Sequence, residues 1–529
     1  MRLGKGNAVN ENKIVSKRSG AQHLEANCRS RREEAPNCEL AGIRQRTALR
    51  LSWVGESGRG LAALHNLAET RGTLEPRASV MECGQSSAAF PKVLWRALKS
   101  TFLFAWVFPS QLALADTNFV AGADFSHLAF FESRGVHYRE NGVSQDGLQI
   151  LKNHGLNCVR LRLFTSTPAQ ASADPYNYIN NTNYTVPLAV RVKNAGLRFC
   201  LDFHYSDTWA DPAHQATPAA WTNLGLSALV QQMRAYNSNT IATFAAAGAM
   251  PDYVQVGNEI TSGFLWPLGR VFGDGGTPWS QFGQLIKAAI QGIQDASGAA
   301  IPKIIVHIDA GGNWATTMWF FDNLNAQSVN YDIIGESYYP FWQGAPTSLS
   351  NCLNNAAARY GKPLIVAENA FPYTNTCPPQ WLTNLYGFPP TPSGQVSFIS
   401  TVARIIKSVP NHLGAGFFYW AAEYQAVNGV QEAGYNTASF FNVNGNVLPV
   451  ADAVGGMAAP LWLKASIAGP NLCLQWPFSG AASKLRTSTS CAPSAAWSFV
   501  SDSLPTTDTV FSVTVPLTNR TSFYRLQSN

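Results

Sequence analysis

Between residues 118 and 455 the chain keeps repeating one unit, a short β-branched or aromatic run followed by a stretch of helical character. Eight runs are legible, at 119–127, 158–164, 198–205, 253–259, 303–310, 333–340, 363–370 and 414–424. Helical patterns fall between them, for example at 144–154, 227–247, 279–296 and 396–408. Such alternation predicts parallel strands joined by helical crossovers. Eight units in about 340 residues fit an α/β fold of the (β/α)8 TIM-barrel type. A doubly wound open sheet is the alternative, disfavoured because no glycine-rich phosphate loop follows the first run.

Polar residues gather at the carboxyl ends of the runs. The second ends in Arg160-Leu161-Arg162, the third in Asp202-Phe203-His204-Tyr205 and the fourth in Asn258-Glu259. The fifth carries His307 and Asp309, the sixth Glu336-Ser337-Tyr338-Tyr339, the seventh Glu368-Asn369 and the eighth Tyr419-Trp420. Any one of these suits a satisfied interior polar group. Their collection at one end is the expected arrangement of a barrel active site.

Charge narrows the ligand. Residues 1–80 hold 14 of the 38 basic side chains and 8 of the 32 acidic ones, so the remaining 449 residues carry 24 of each. That balance leaves no basic footprint for nucleic acid or an anionic membrane. Charged residues are only 13% of the chain and aromatics 12%, with 15 Trp. Such a surface suits an uncharged ring-shaped ligand such as a sugar, although a Trp-rich core fits composition equally well.

Domain boundaries follow from composition. Residues 1–80 show no hydrophobic period and are expected to be a disordered or over-extended N-terminal segment. Residues 81–115 are expected to be a signal peptide: Lys92, Arg96 and Lys99 precede the apolar run 101–108, and an A-x-A site ends at Ala115. Translation from Met81 and secretion are the corresponding expectations. Residues 116–458 then form the barrel, and 459–529 a small β-rich module. In an exported protein Cys352 with Cys377, and Cys473 with Cys491, are local pairing candidates, while Cys158 and Cys200 are either bonded or simply buried.

Two carboxylates on separate strands at a barrel mouth are what glycoside hydrolysis with retention requires. One keeps its proton for the leaving oxygen; the other stays ionised to attack the anomeric carbon. Glu259 and Glu368 fit these roles as acid/base and nucleophile. Asn258, directly before Glu259, is placed to bond a sugar hydroxyl, and an arginine ending the second run would hold the nucleophile ionised. Of Arg160 and Arg162, which share a face, Arg162 lies nearer the mouth and is preferred.

These segments resemble the clan A glycoside hydrolases and, within them, family 53, the arabinogalactan endo-β-1,4-galactanases. The match is carried by GADFSHLAFFESRGVHY (122–138), CVRLRLFTSTP (158–168), VQVGNEITSGFLWP (254–267), IIGESYYPFWQG (333–344) and LIVAENAFPY (364–373). LDFHYSDTWADPAHQATPAAW (201–221) is the most specific stretch. The resemblance implies Glu259 as acid/base, Glu368 as nucleophile, and Asn258 and Arg162 in support. It places His204, Tyr205, Asp207, Trp209 and Tyr338 in the substrate cleft, with Trp420 as a sugar platform. The chain departs from the family's usual pattern at Asn369, where Thr is usual, and at Glu336, where an apolar residue is usual.

Glu336 shares a face with Tyr338 by alternation, so an inward position beside Glu368 is one expectation. His307 is left open between core and site, and Asp124 and Asp309 are read as hydrogen-bond scaffolding. No cofactor is expected, and no D-x-D-x-D-G spacing supports calcium. The expected partner is β-1,4-galactan acted on by a monomer. A mannanase or glucanase of the same clan, and a non-catalytic sugar-binding protein, are the alternatives.

Overall fold

The computed structural model describes residues 105–107, 119–272, 276–459, 463–477, 483–490, 492, 494–500, 504–507, 510–516 and 522–528. The expected N-terminal extension, and the signal segment apart from the strand Ala105–Val107, lie outside these residues, as does Cys491.

Eight parallel strands close into a barrel. They are β1 (Val120–Asp124), β2 (Cys158–Leu163), β3 (Arg198–Phe203), β4 (Tyr253–Val256), β5 (Lys303–Ile308), β6 (Ile333–Ser337), β7 (Leu364–Glu368) and β8 (Gly414–Tyr419). All eight coincide with the runs in the sequence, and β8 closes the cylinder by pairing Gly416 with Val120 and Tyr419 with Ala123. Every strand ends earlier than its run. The polar residues that follow belong to the loops of the mouth and no longer to the ladder.

Alternation sorts each strand into an outer and an inner column. The outer column meets the helices in one large apolar core; Leu226–Ala246, for instance, buries Leu229, Met233, Ile241 and Phe244. The inner column is layered. At the bottom Val120, Cys158, Cys200, Ile305, Ile333, Ile365 and Phe418 fill the lumen as a second apolar cluster. Gly122 makes room for this plug, since a Cβ there would lie 2.4 Å from the Phe418 ring. Above it comes a wholly buried polar layer with Asp124, Arg160, Arg162, Asp202, Gln255 and His307. Burial of that many polar groups demands partners for nearly all of them.

The cysteines follow this layering. Cys158 and Cys200 are buried thiols of the plug. Cys352 and Cys377 are both free, against the expected pairing; the Cys352 sulfur is 3.3 Å from the Thr317 hydroxyl. Past the barrel, the tail strands form two four-stranded sheets, one ordered from Lys464–Ala468 through Asn471–Pro477 and Val510–Pro516 to Leu504–Thr507. The other sets Ser522–Ser528 between Ser483–Ser488 and Ala105–Val107.

Candidate active site

Two local departures from regular strand geometry aim the glutamates. After β4 the chain turns through Gly257 at φ 89°, where a Cβ would meet the Ile260 side chain at 2.5 Å. Glu259 itself sits in the left-handed region at φ 49°, ψ 50°. A non-glycine residue held there marks a place where the surroundings dictate the backbone. On β7 the pairing with β6 shifts register between Val366 and Glu368. Ile365 belongs to the inner column, so strict alternation would turn Glu368 outward; the irregularity re-aims it into the mouth.

Both carboxylates line one cleft of about 520 Å³ at the carboxyl ends of the strands. Their electrostatic surroundings differ. Glu368 Oε1 lies 2.9 Å from Arg160 Nη2, and Glu368 Oε2 accepts from the Tyr339 hydroxyl at 3.1 Å. Burial raises the Glu368 carboxyl and Arg160 pulls it back, leaving it at about 7. Among the described residues no cation pairs with Glu259. Burial, then the charges of Glu368 and Asp309, push its carboxyl well above the usual carboxylate range, while the Ser337 hydroxyl at 2.6 Å opposes them. As pH rises Glu368 therefore ionises first and Glu259 keeps its proton longer, the separation of roles that acid and nucleophile need.

The polar layer below assembles this contrast. Arg160 contacts Asp124 at 3.1 Å, Asp202 at 2.8 Å and Asn258 Oδ1 at 2.7 Å as well as Glu368. Asn258 also donates to the Ala210 carbonyl at 2.8 Å. His204 accepts the Ala210 N–H on Nδ1 at 2.9 Å and therefore donates from Nε2 to Asp202 at 3.0 Å. Trp420 closes the top, 5.6 Å from the Arg160 guanidinium and 5.1 Å from that of Arg162.

Several expected residues stand elsewhere. Arg162 does not touch Glu368; it bonds Asp124 at 3.2 Å and His127 at 2.7 Å and stacks on Trp209 at 4.2 Å. An arginine projects its charge well beyond its own Cα, so Arg160 reaches across the lumen to the carboxylate while Arg162, equally buried, is turned toward Asp124, His127 and Trp209. Tyr205 faces outward, stacked on Phe203 and bonded to Asn237 at 2.8 Å. Asp207 lies off the cleft and braces the loop, accepting from Thr165 at 2.7 Å and the Ala219 N–H at 3.0 Å. Tyr338 also faces outward, bonded to the Gly344 carbonyl at 2.8 Å, and its neighbour Tyr339 is the tyrosine that reaches Glu368. His204, Trp209, Asn258 and Trp420 do line the cleft. The sequence reading missed Tyr339 and Tyr435, which line the cleft, and Ser337, which bonds Glu259, and set Asp309, a cleft-lining residue, down as scaffolding. With Ile333 in the lumen and Ile334 in the outer core, the same column of β6 carries Ser337 and leads on to Tyr339.

Glu336 shares the Tyr338 face as alternation requires, but that face is the outer one. It accepts from the Ala310 N–H at 3.1 Å and Thr317 at 2.9 Å, remote from Glu368. Burial raises its carboxyl well above the usual range. The native state then holds a proton that the unfolded chain releases, so stability falls as pH rises above the ordinary glutamate value. Thermal unfolding should show wild type losing more stability between pH 5 and 8 than Glu336→Gln. Parallel curves would mean that Glu336 is ionised in the fold.

A profile of glycosyl hydrolase family 53 matches residues 120–454. An uncharacterized protein of Niallia circulans is 41% identical over 318 residues, 58% of this chain and 84% of that one. An arabinogalactan endo-β-1,4-galactanase of Humicola insolens is 37% identical over 309 residues, 56% of this chain and 88% of that enzyme. Among solved structures, the GH53 catalytic domain of Ignisphaera aggregans superposes with a TM-score of 0.60 at 31% identity, covering 66% of this chain and 98% of that domain. A fungal β-1,4-galactanase gives 0.56 at 32% identity, covering 63% and 98%. With the profile spanning the whole barrel and both glutamates inside it, this chain is a glycoside hydrolase belonging to glycosyl hydrolase family 53.

Proposed function

We infer that the chain is a secreted, endo-acting β-1,4-galactanase that works with retention through a glycosyl-enzyme intermediate. Glu259 protonates the leaving oxygen and later activates water; Glu368 attacks the anomeric carbon. The observation that carries this reading is the pair of glutamates in one cleft, one beside Arg160 and the other beside Asp309, Asp211 and the Ser337 hydroxyl. The galactan assignment draws on the relatives whose names carry that activity. Export draws on the basic and apolar segment before Ala115. Trp209, Trp342 and Trp420 around the cleft offer flat apolar faces to sugar rings.

Reducing-sugar release across galactan, mannan, xylan and a mixed-linkage glucan tests the substrate class, with galactan expected to lead by at least about tenfold in kcat/KM, a margin of about 1.4 kcal/mol. Equal turnover of mannan or glucan would overturn the galactan reading. In the same assays kcat/KM should rise through about pH 7 as Glu368 ionises and fall again above it as Glu259 loses its proton. Proton NMR during the first turnovers should show the β-anomer of the new reducing end.

A further inference from the structure

Beneath Glu259 lies a chain of buried hydrogen bonds that the roles above do not use. Ser337 Oγ is 2.6 Å from Glu259 Oε1 and 2.9 Å from His307 Nε2. His307 Nδ1 is 3.1 Å from Asn258 Oδ1, and the Glu259 backbone N–H points at the same nitrogen from 3.4 Å. The orientation of the Asn258 amide is set from both sides. Its Nδ2 meets the Ala210 carbonyl, and its Oδ1 meets Arg160 and Gln255 Nε2, the latter at 3.1 Å. An oxygen therefore faces His307 Nδ1. The Glu259 N–H at 3.4 Å lies beyond ordinary hydrogen-bond length. A lone pair on that nitrogen would oppose the oxygen's own at 3.1 Å, so the nearer contact decides and the single proton of the neutral ring sits on Nδ1. Nε2 is then an acceptor.

Ser337 thus has one proton and two acceptors. When Glu259 carries its proton on Oε1, that proton goes to Ser337 Oγ, and Ser337 passes its own to His307 Nε2; every member is satisfied. When Glu259 is ionised, Ser337 must turn to the carboxylate, and Nε2, sealed in the barrel, loses its donor. An unsatisfied buried acceptor is costly.

We propose that Ser337 is a two-position hydroxyl switch and His307 its bias, so that this pair, acting through hydrogen bonds alone, sets how tightly Glu259 holds its proton. Both are positioning residues, and the assignment rests on Glu259 being the acid/base. The other groups facing Glu259 are Glu368 from β7, Asp309 after β5, Asp211 in the loop after β3, Tyr339 after β6 and Tyr435 in the loop after β8. Arg160, Asp202 and His204 face His307. None of these changes in the variants below.

The two halves of the pair act in opposite directions. Ser337→Ala removes the donor to ionised Glu259, a stronger bond than the one lost in the protonated state, so the basic limb of kcat/KM should move up by about one pH unit. Ser337→Thr, which keeps the hydroxyl, should restore it. His307→Phe removes the competing acceptor, leaves Ser337 committed to the carboxylate, and should move the limb down by a similar amount. The double variant should match Ser337→Ala alone, since His307 acts only through Ser337. Shifts of the same sign, additive shifts, unmoved limbs or failure of Ser337→Thr to restore would each overturn the switch. Glu259→Gln separates the two ideas: it should abolish the basic limb, and a limb that persists would sink the acid/base assignment rather than the switch.

Discussion

Glu368→Ala should lower kcat on galactan by on the order of 10⁵-fold or more while the protein stays folded. Removing a nucleophile leaves only positioning and electrostatic assistance, and losses of about 10⁶ are known for such deletions in other hydrolases. Stability should change little or improve, because the deleted carboxyl is buried and pushed up to about 7. Azide added to the variant with an activated aryl β-galactoside should give the α-galactosyl azide, since the anion enters from the face that Glu368 occupied. Wild-type turnover by the variant would end the assignment. Formation of the β-azide instead would mean that Glu368 and Glu259 have exchanged roles.

The second large effect belongs to Arg160. Its guanidinium serves Asp124, Asp202, Asn258 and Glu368, all at 3.1 Å or less. Arg160→Met would strand several buried carboxylates, and breaking a buried pair from one side costs about 3–5 kcal/mol. Chemical denaturation should show that loss. Arg160→Lys keeps one charge but not the planar fork, so it cannot hold all of these acceptors. We expect it to fold, to lose about 10²–10³-fold in kcat/KM below pH 7, and to move the acid limb upward from about 7. The sign follows from the ion pair: a weaker cation favours ionised Glu368 less, so that carboxyl ionises at a higher pH. Arg162→Lys should leave the limb in place, since Arg162 bonds Asp124, His127 and Asn180 instead. Equal limb shifts in the two lysine variants would overturn the distinction between these arginines.

That distinction shows where reading the sequence stopped. Both arginines were legible as inward-facing, because their spacing of two puts them on one column of β2. Which one meets Glu368 depends on how far a guanidinium extends across the lumen, and one sequence contains no measure of that. Tyr338 and Glu336 fail for a related reason. Alternation correctly put them together, but the phase of β6 depends on which column faces the lumen, and a strand buried on both faces with Glu336 on one and Ser337 on the other does not declare it. The bonds of Tyr205 to Asn237 and of Tyr338 to Gly344 lie on that outer side, hidden from any argument that treats every aromatic near a strand end as a cleft residue.

The barrel, its eight strands, the end at which the polar groups gather and the two glutamates were all legible in the amino-acid order, because β-branched runs and helical periods are local properties of the chain. How those groups are wired is a property of the closed barrel. The register shift before Glu368, the left-handed turn at Glu259, the choice of Arg160 and the contact of Ser337 with both Glu259 and His307 all arise between strands far apart in the chain. Such relations depend on barrel closure and on which buried polar atoms find partners, and those conditions exist only once the cylinder has formed.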